Sequence, residues 1–335
     1  MTLSACIRSM RLRTLPLSLS GVVLGIFIAF SSLFASDEQV VVASFLDVGA
    51  SAVEAAYPAA TVVFLLLTTV LLQILSNLSN ELGDTLNGTD RDDRQGIRYS
   101  LQDGGLTIPE MKRLIAAVAA ACCLSGLLMV YCSFGELFAW TPVLLLLLGA
   151  AAIWAAMNYT LGKHPYGYRG LGDVFVFIFF GLVSVAGGYF VCAHSVPAFL
   201  LLPASAIGCF SVGVLNVNNI RDMRSDAATR VTVAIQLGEL RARIYQTVLL
   251  VVGWICMLIF MGLVPRAAFA EAASFPWTRC LFLLTLPFYV LHLKGVWTRT
   301  DRALDPMLPL LVLSTFALSL LAGIGLLTGG LLAGG

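Results

Sequence analysis

Apolar runs of about 20 residues recur along the whole chain, separated by shorter polar stretches. Each is long enough to cross a hydrocarbon core as a helix, at about 1.5 Å of rise per residue. The pattern predicts nine such helices, near residues 14–34, 59–85, 110–133, 138–160, 172–193, 198–220, 241–264, 277–297 and 307–330. No Pro/Ser-rich linker breaks the series, so residues 1–335 read as a single multi-pass domain. The fold class is an all-α membrane protein, nine transmembrane helices in a single bundle around a central cavity.

Composition strengthens this reading. Of 335 residues, 59% are hydrophobic and 12% charged, where a soluble domain carries roughly a quarter charged residues. Lys and Arg concentrate in cytoplasmic loops of multi-span proteins. With nine spans, the N-terminus and the loops near 86–109, 161–171, 221–240 and 298–306 share one side, and every basic residue except Arg266 and Arg279 lies on or beside it. The opposite side receives the acidic 35–58 loop, with Asp37, Glu38, Asp47 and Glu54. The N-terminus is therefore expected in the cytoplasm and the C-terminus outside. Arg8, Arg11 and Arg13 precede a first span without a small-residue cleavage site, so no cleavable signal is expected.

A net charge of +1 carries no nucleic-acid footprint, and no obligate protein partner is evident. The eight cysteines show no Cys-x-x-Cys spacing and mostly lie within spans, which favours packing over disulfide or zinc work. The three histidines, His164, His194 and His292, have no metal-ligand spacing.

Polar chemistry is confined to one face. The first tract, 77–93, ends the second span, and the second, 216–232, ends the sixth. The separation of four spans hints at two parallel four-helix units plus a ninth helix, which would bring both tracts to the same face. Charge at such depth is costly and usually functional. In the first tract Asn77, Asn80 or Glu81, and Asp84 recur at helical spacing and share one face. Gly83 and Gly88 are expected to loosen the helix end, before Asp90, Asp92 and Asp93 with Arg91 and Arg94. In the second tract Asp222 and Asp226 lie four apart and share a face with Asn218 or Asn219, flanked by Arg221, Arg224 and Arg230. Oxygen-only donors of this kind suit Mg²⁺, which is commonly held by one or two carboxylates and by substrate phosphates. Arginines grip phosphate oxygens directly. Either tract alone would also fit a solvated helix end with capping asparagines; two matched tracts on one face favour a metal-bridged polyphosphate site.

A third segment, Tyr159 to Asp173, supplies Lys163 and Arg169 for a diphosphate leaving group, with Tyr166 and Tyr168 able to face a developing carbocation. Without a ligand it reads as a tight Gly/Pro turn with interfacial tyrosines.

These residues resemble the UbiA superfamily of intramembrane aromatic prenyltransferases. Asn80-Glu81-Leu-Gly-Asp84 with the later Asp90 matches the family's first acidic motif, and Asn218-Asn219-Ile-Arg-Asp222-Met-Arg-Ser-Asp226 its second. Arg11-Leu-Arg-Thr-Leu-Pro16, Gln73-Ile-Leu-Ser-Asn77 and Pro165-Tyr-Gly-Tyr-Arg-Gly-Leu-Gly-Asp173 are most similar to its menaquinone-pathway branch, the 1,4-dihydroxy-2-naphthoate polyprenyltransferases. The departures are Glu81 for the usual Asp, Leu12 for Pro, and Thr229 where Gly normally precedes the basic residue.

The resemblance implies Mg²⁺ as cofactor, held by Asn80, Glu81, Asp84, Asp222 and Asp226, with Asp84, Asp222, Asp226 and Lys163 catalytic. The implied substrate-binding set is Arg11, Asn77, Arg98, Tyr159, Tyr166, Tyr168, Arg169, Asn218, Asn219 and Arg230, with Arg11 placed for the acceptor carboxylate or a polar lid. Polyprenyl diphosphate and 1,4-dihydroxy-2-naphthoate are the implied substrates, in the bilayer of the cell inner membrane, with the site facing the cytoplasm. One alternative is a sister enzyme using 4-hydroxybenzoate or a related acceptor. Another is an ion-coupled transporter, disfavoured because transporters place polar breaks near the bilayer midplane.

Overall fold

The computed structural model describes residues 2–33, 57–88, 99–227, 229–268 and 277–333. Among the described residues nine helices are long and apolar enough to cross a membrane. A short helix, α1 (Leu3–Met10), precedes them. The crossing helices are α2 (Leu15–Leu33), α3 (Pro58–Leu86), α4 (Ile108–Phe134), α5 (Trp140–Asn158), α6 (Gly172–Ala193), α7 (Ala198–Arg221), α8 (Glu239–Ala268), α9 (Trp277–Thr298) and α10 (Met307–Ala333). Each lies within a few residues of an apolar run, because apolar length sets both the helix and its span.

Local chemistry sets the ends. α4 begins in a capping box: the Thr107 hydroxyl accepts from Glu110 N while the Glu110 carboxylate accepts from Thr107 N. It stops at Gly135. Thr2 caps α1, which ends at Arg11 with a φ of 50°, an uncommon left-handed conformation for a side chain of that size. α6 widens into a π-helical stretch at Phe177–Val183, a device that re-aims side chains, often at functional sites.

The two largest apolar clusters among the described residues hold most of the bundle. One joins α2, α7, α8, α9 and α10 around Leu24, Phe210, Trp254, Phe260, Tyr289 and Leu318. The other joins α1, α3 and α4 around Cys6, Leu75, Leu78, Met111 and Ile115. Lipid is as apolar as leucine, so association within a membrane depends on close packing and interhelical hydrogen bonds. One buried chain of such bonds crosses four helices. Asn216 Nδ2 donates to Gln246 Oε1 at 2.9 Å, Gln246 Nε2 meets His292 Nε2 at 3.1 Å, and His292 Nδ1 meets Met307 O at 2.9 Å. The carbonyl requires a proton on Nδ1, which leaves Nε2 to accept from the glutamine.

α5 packs on α3 and α4, whereas α6 packs on α2 and α7. Between these groups lies an apolar cavity of about 350 Å³. It runs along α3 from Asn80 to Leu65, about 22 Å at the helical rise.

Candidate active site

The last turns of α3 present polar side chains in two directions. Asn77 and Glu81 face α1 and the segment after residue 98. Asn77 Nδ2 donates to Met10 O and Thr14 Oγ1, both at 2.9 Å, and its Oδ1 accepts from Gln73 at 3.0 Å. Glu81, fully buried, accepts from Leu101 N at 2.8 Å. Asn80 and Asp84 face the other way. Thr160 Oγ1 donates to Ser79 O at 3.0 Å and to Asn80 Oδ1 at 3.2 Å. Tyr168 donates to Asp84 Oδ1 at 2.7 Å. The four positions share one broad face, as their spacing predicts, and packing then splits it into two edges.

Gly83 behaves differently from the expectation that it loosens the helix. α3 runs through it unbroken to Leu86, and a Cβ there would lie 2.5 Å from Thr160 Oγ1. Its bare surface is where the end of α5 docks. Gly88, with φ 66°, lies past the helix end.

The turn after α5 joins the two acidic tracts. While the Tyr168 hydroxyl holds Asp84, its carbonyl accepts from Val231 N at 3.0 Å. Asp226 is 1% exposed and ion-paired with Arg230, four residues on. Burial works against the charge on Arg230, but Asp226 and then Asp84 outweigh it and raise its pKa. Tyr159 feels the same groups: burial lifts its hydroxyl to about 12, despite Arg230, with Asp173, Asp84 and Asp226 adding to the rise. Asp84, Asp226, Arg230, Tyr159 and Tyr168 thus form one electrostatic unit.

Asp222 is also buried, at 0% exposure, but its partner is Arg221. Nε donates to Oδ1 at 2.8 Å and Nη2 to Oδ2 at 2.6 Å. The same guanidinium reaches Asn218 Oδ1 at 2.9 Å and Asp305 Oδ1 at 2.8 Å. Arg221 is therefore committed to carboxylates and an amide of this chain. Asn219 is buried one residue beyond Asn218.

Below the acids, Tyr159, Tyr166 and Phe175 line the mouth of the apolar cavity, with Phe179 and Phe180 further along. Tyr166 stacks on Phe175 at 3.9 Å between centroids and meets Tyr159 edge-on at 5.4 Å. Tyr168 is spent on Asp84, so the cavity's aromatic wall is Tyr159, Tyr166 and the phenylalanines of α6. Lys163 and Arg169 are exposed on the same turn and make no ion pair among the described residues. Arg11 lies over the Tyr99 ring at 3.8 Å, and Arg13 donates to the Tyr99 hydroxyl at 2.7 Å. The Nε and Nη2 of Arg11 are buried without a hydrogen-bond partner among the described residues. Arg98, Asp90, Asp92 and Asp93 lie outside the described residues.

Sequence reasoning missed Thr160, Phe175 and Asp305. Phe175 looks like any lipid-facing phenylalanine and Asp305 like a loop acid; nothing in their spacing marks them. Asp173, which closes the third segment, is 7% exposed and accepts from Tyr245 at 3.1 Å.

The donor set fits a hard divalent cation. Among the described residues no three acidic, histidine or cysteine side chains form a preassembled metal cluster. Mg²⁺ needs none, because phosphate oxygens and water complete its shell. Asp84 and Asp226, linked through Tyr168 and Arg230, are oxygen donors of the type such an ion takes.

Residues 40–306 match the UbiA prenyltransferase family. The chain is 38% identical over 272 residues to the 1,4-dihydroxy-2-naphthoate octaprenyltransferase of Haemophilus influenzae, covering 80% of this chain and 84% of that one. It is 39% identical over 263 residues to the Escherichia coli K12 protein of the same name, covering 78% and 82%. A UbiA homolog from Aeropyrum pernix K1 shares the fold with a TM-score of 0.60 at 16% identity, over 91% of this chain and 96% of that one. Matched by the family over residues 40–306 and sharing 38–39% identity with two such relatives over about four fifths of its length, this chain belongs to the UbiA prenyltransferase family.

Proposed function

We propose that this protein transfers a polyprenyl group from polyprenyl diphosphate to 1,4-dihydroxy-2-naphthoate, with loss of the ring carboxylate as CO₂, giving demethylmenaquinone. The observation that carries the reading is the stacking of two layers, buried acids and arginine above an aromatic-mouthed apolar cavity. The upper layer suits a diphosphate and the lower one its hydrocarbon tail. The names of the relatives supply the acceptor.

Mg²⁺, when bound, would neutralise the diphosphate and stabilise it as a leaving group. Asn80, Asp84, Asp222 and Asp226 would hold it, and Glu81 would shape that edge of α3 through its bond to Leu101. Lys163, Arg169, Arg230 and Arg98 would bind diphosphate oxygens. Tyr159 keeps its proton to about pH 12, so it meets a developing allylic cation as a neutral π-face, as does Tyr166. The cavity's apolar lining excludes the water that would quench such a cation. The orphaned guanidinium nitrogens of Arg11 suit the carboxylate of the acceptor, while Asn77 fixes the Arg11 segment to α3. Asn218 and Asn219 complete the second tract. On the distribution of basic residues, the N-terminus and the site face the cytoplasm, in a multi-pass inner-membrane protein.

The test uses the purified protein in nanodiscs with Mg²⁺, labelled octaprenyl diphosphate and either naphthoate or 4-hydroxybenzoate. Prenylated naphthol and release of carboxyl label as CO₂ are expected, with loss of turnover on chelation and in Asp84→Asn and Asp226→Asn. Transfer to hydroxybenzoate alone would overturn the acceptor assignment, and full turnover in both variants would overturn the site.

A further inference from the structure

Arg221 takes a lone pair on each oxygen of Asp222, so a second ligand must either share those oxygens with the guanidinium or displace it from one of them. The guanidinium that lets go is 5% exposed. A buried cation left without an anion is strongly disfavoured. The structure offers it a second anion. Asp305, on the connection between α9 and α10, already binds Nη1 at 2.8 Å and is itself 42% exposed to solvent.

The position of Asp305 is fixed independently. Two residues on, Met307 O is bonded to His292, which leads through Gln246 to Asn216 on α7. Arg243, from α8, donates to Val296 O in the last turn of α9 and to Arg299 O at the start of the same connection. Thus α7 is tied to one short segment at two levels, by Asn216 through the relay and by Arg221 directly. Both ends of the arrangement are anchored, and the guanidinium bridges Asp222 and Asp305.

We infer that Asp305 is a positioning residue for the second acidic motif: it draws Arg221 away from Asp222 and so releases that carboxylate to the metal–diphosphate. The inference rests on the reading of the site as a Mg²⁺–diphosphate site. Without Asp305, Arg221 has one carboxylate left and holds it more tightly, so Asp222 is harder to recruit. Asp305 never touches substrate; it acts through Arg221 alone.

The experiment measures binding of Mn²⁺ as a spin probe, with inorganic diphosphate, to the full chain in nanodiscs, alongside the metal dependence of turnover. Asp305→Asn should weaken Mn²⁺ binding about two- to fivefold, the range of a partly screened ion pair. The same factor should appear in the metal concentration at half-maximal rate rather than in kcat. Asp305→Glu should restore wild-type affinity, which a mere folding defect would not allow. Unchanged or tighter binding in a folded Asp305→Asn would overturn the inference alone. Unchanged binding in Asp84→Asn would overturn the site reading beneath it.

Discussion

The Tyr168 hydroxyl donates to Asp84 while its own carbonyl accepts from Val231, so this residue spans the gap between the two acidic tracts. A hydrogen bond to a charged group contributes about 1.5–3 kcal/mol. Tyr168→Phe removes that bond and keeps the backbone bridge to Val231. We expect kcat/KM to fall roughly 10- to 100-fold with a modest fall in melting temperature from the same lost bond, measured by steady-state turnover and thermal unfolding in the same nanodiscs. At this scale the spacing of Asn80 and Asp84 announced helix-end acids. The third segment offered Tyr168 for a carbocation, and nothing in the chain showed its hold on Asp84, 84 residues away.

At the scale of elements, α3 is the scaffold of the site. Its last turns receive α1 through Asn77, the segment after residue 98 through Glu81, and the end of α5 through Thr160 at Gly83. Gly83→Ala would place a methyl 2.5 Å from Thr160 Oγ1, an overpacking that typically costs about 1–3 kcal/mol. A lower melting temperature is expected, with the loss of Asn80 and Asp84 alignment seen as reduced Mn²⁺ affinity. Asn77→Ala, by contrast, should loosen the Arg11 segment and raise KM for the acceptor with metal affinity unchanged. Helix existence was legible here because apolar length and spacing are local properties. The role of Gly83 was not, since a glycine that ends a helix and one that admits a neighbour look alike in the chain.

For the whole molecule, an odd number of crossings puts the two ends of the chain on opposite faces. With nine crossing helices among the described residues and basic residues gathered on one side, a C-terminal alkaline phosphatase fusion should be active and a C-terminal green fluorescent protein dark. The reverse pair of results would invert the topology and move the site to the other face. Hydrophobic length and charge asymmetry are written along the chain, so class, span count, expected orientation and the acidic tracts could all be taken from the order of residues. Which acid meets which cation could not. Asp222 and Asp226 share one spacing pattern, yet folding gives the first to Arg221 and Asp305 and the second to Arg230. A buried charge is settled by whatever partner packing delivers, and those partners come from helices far apart in sequence.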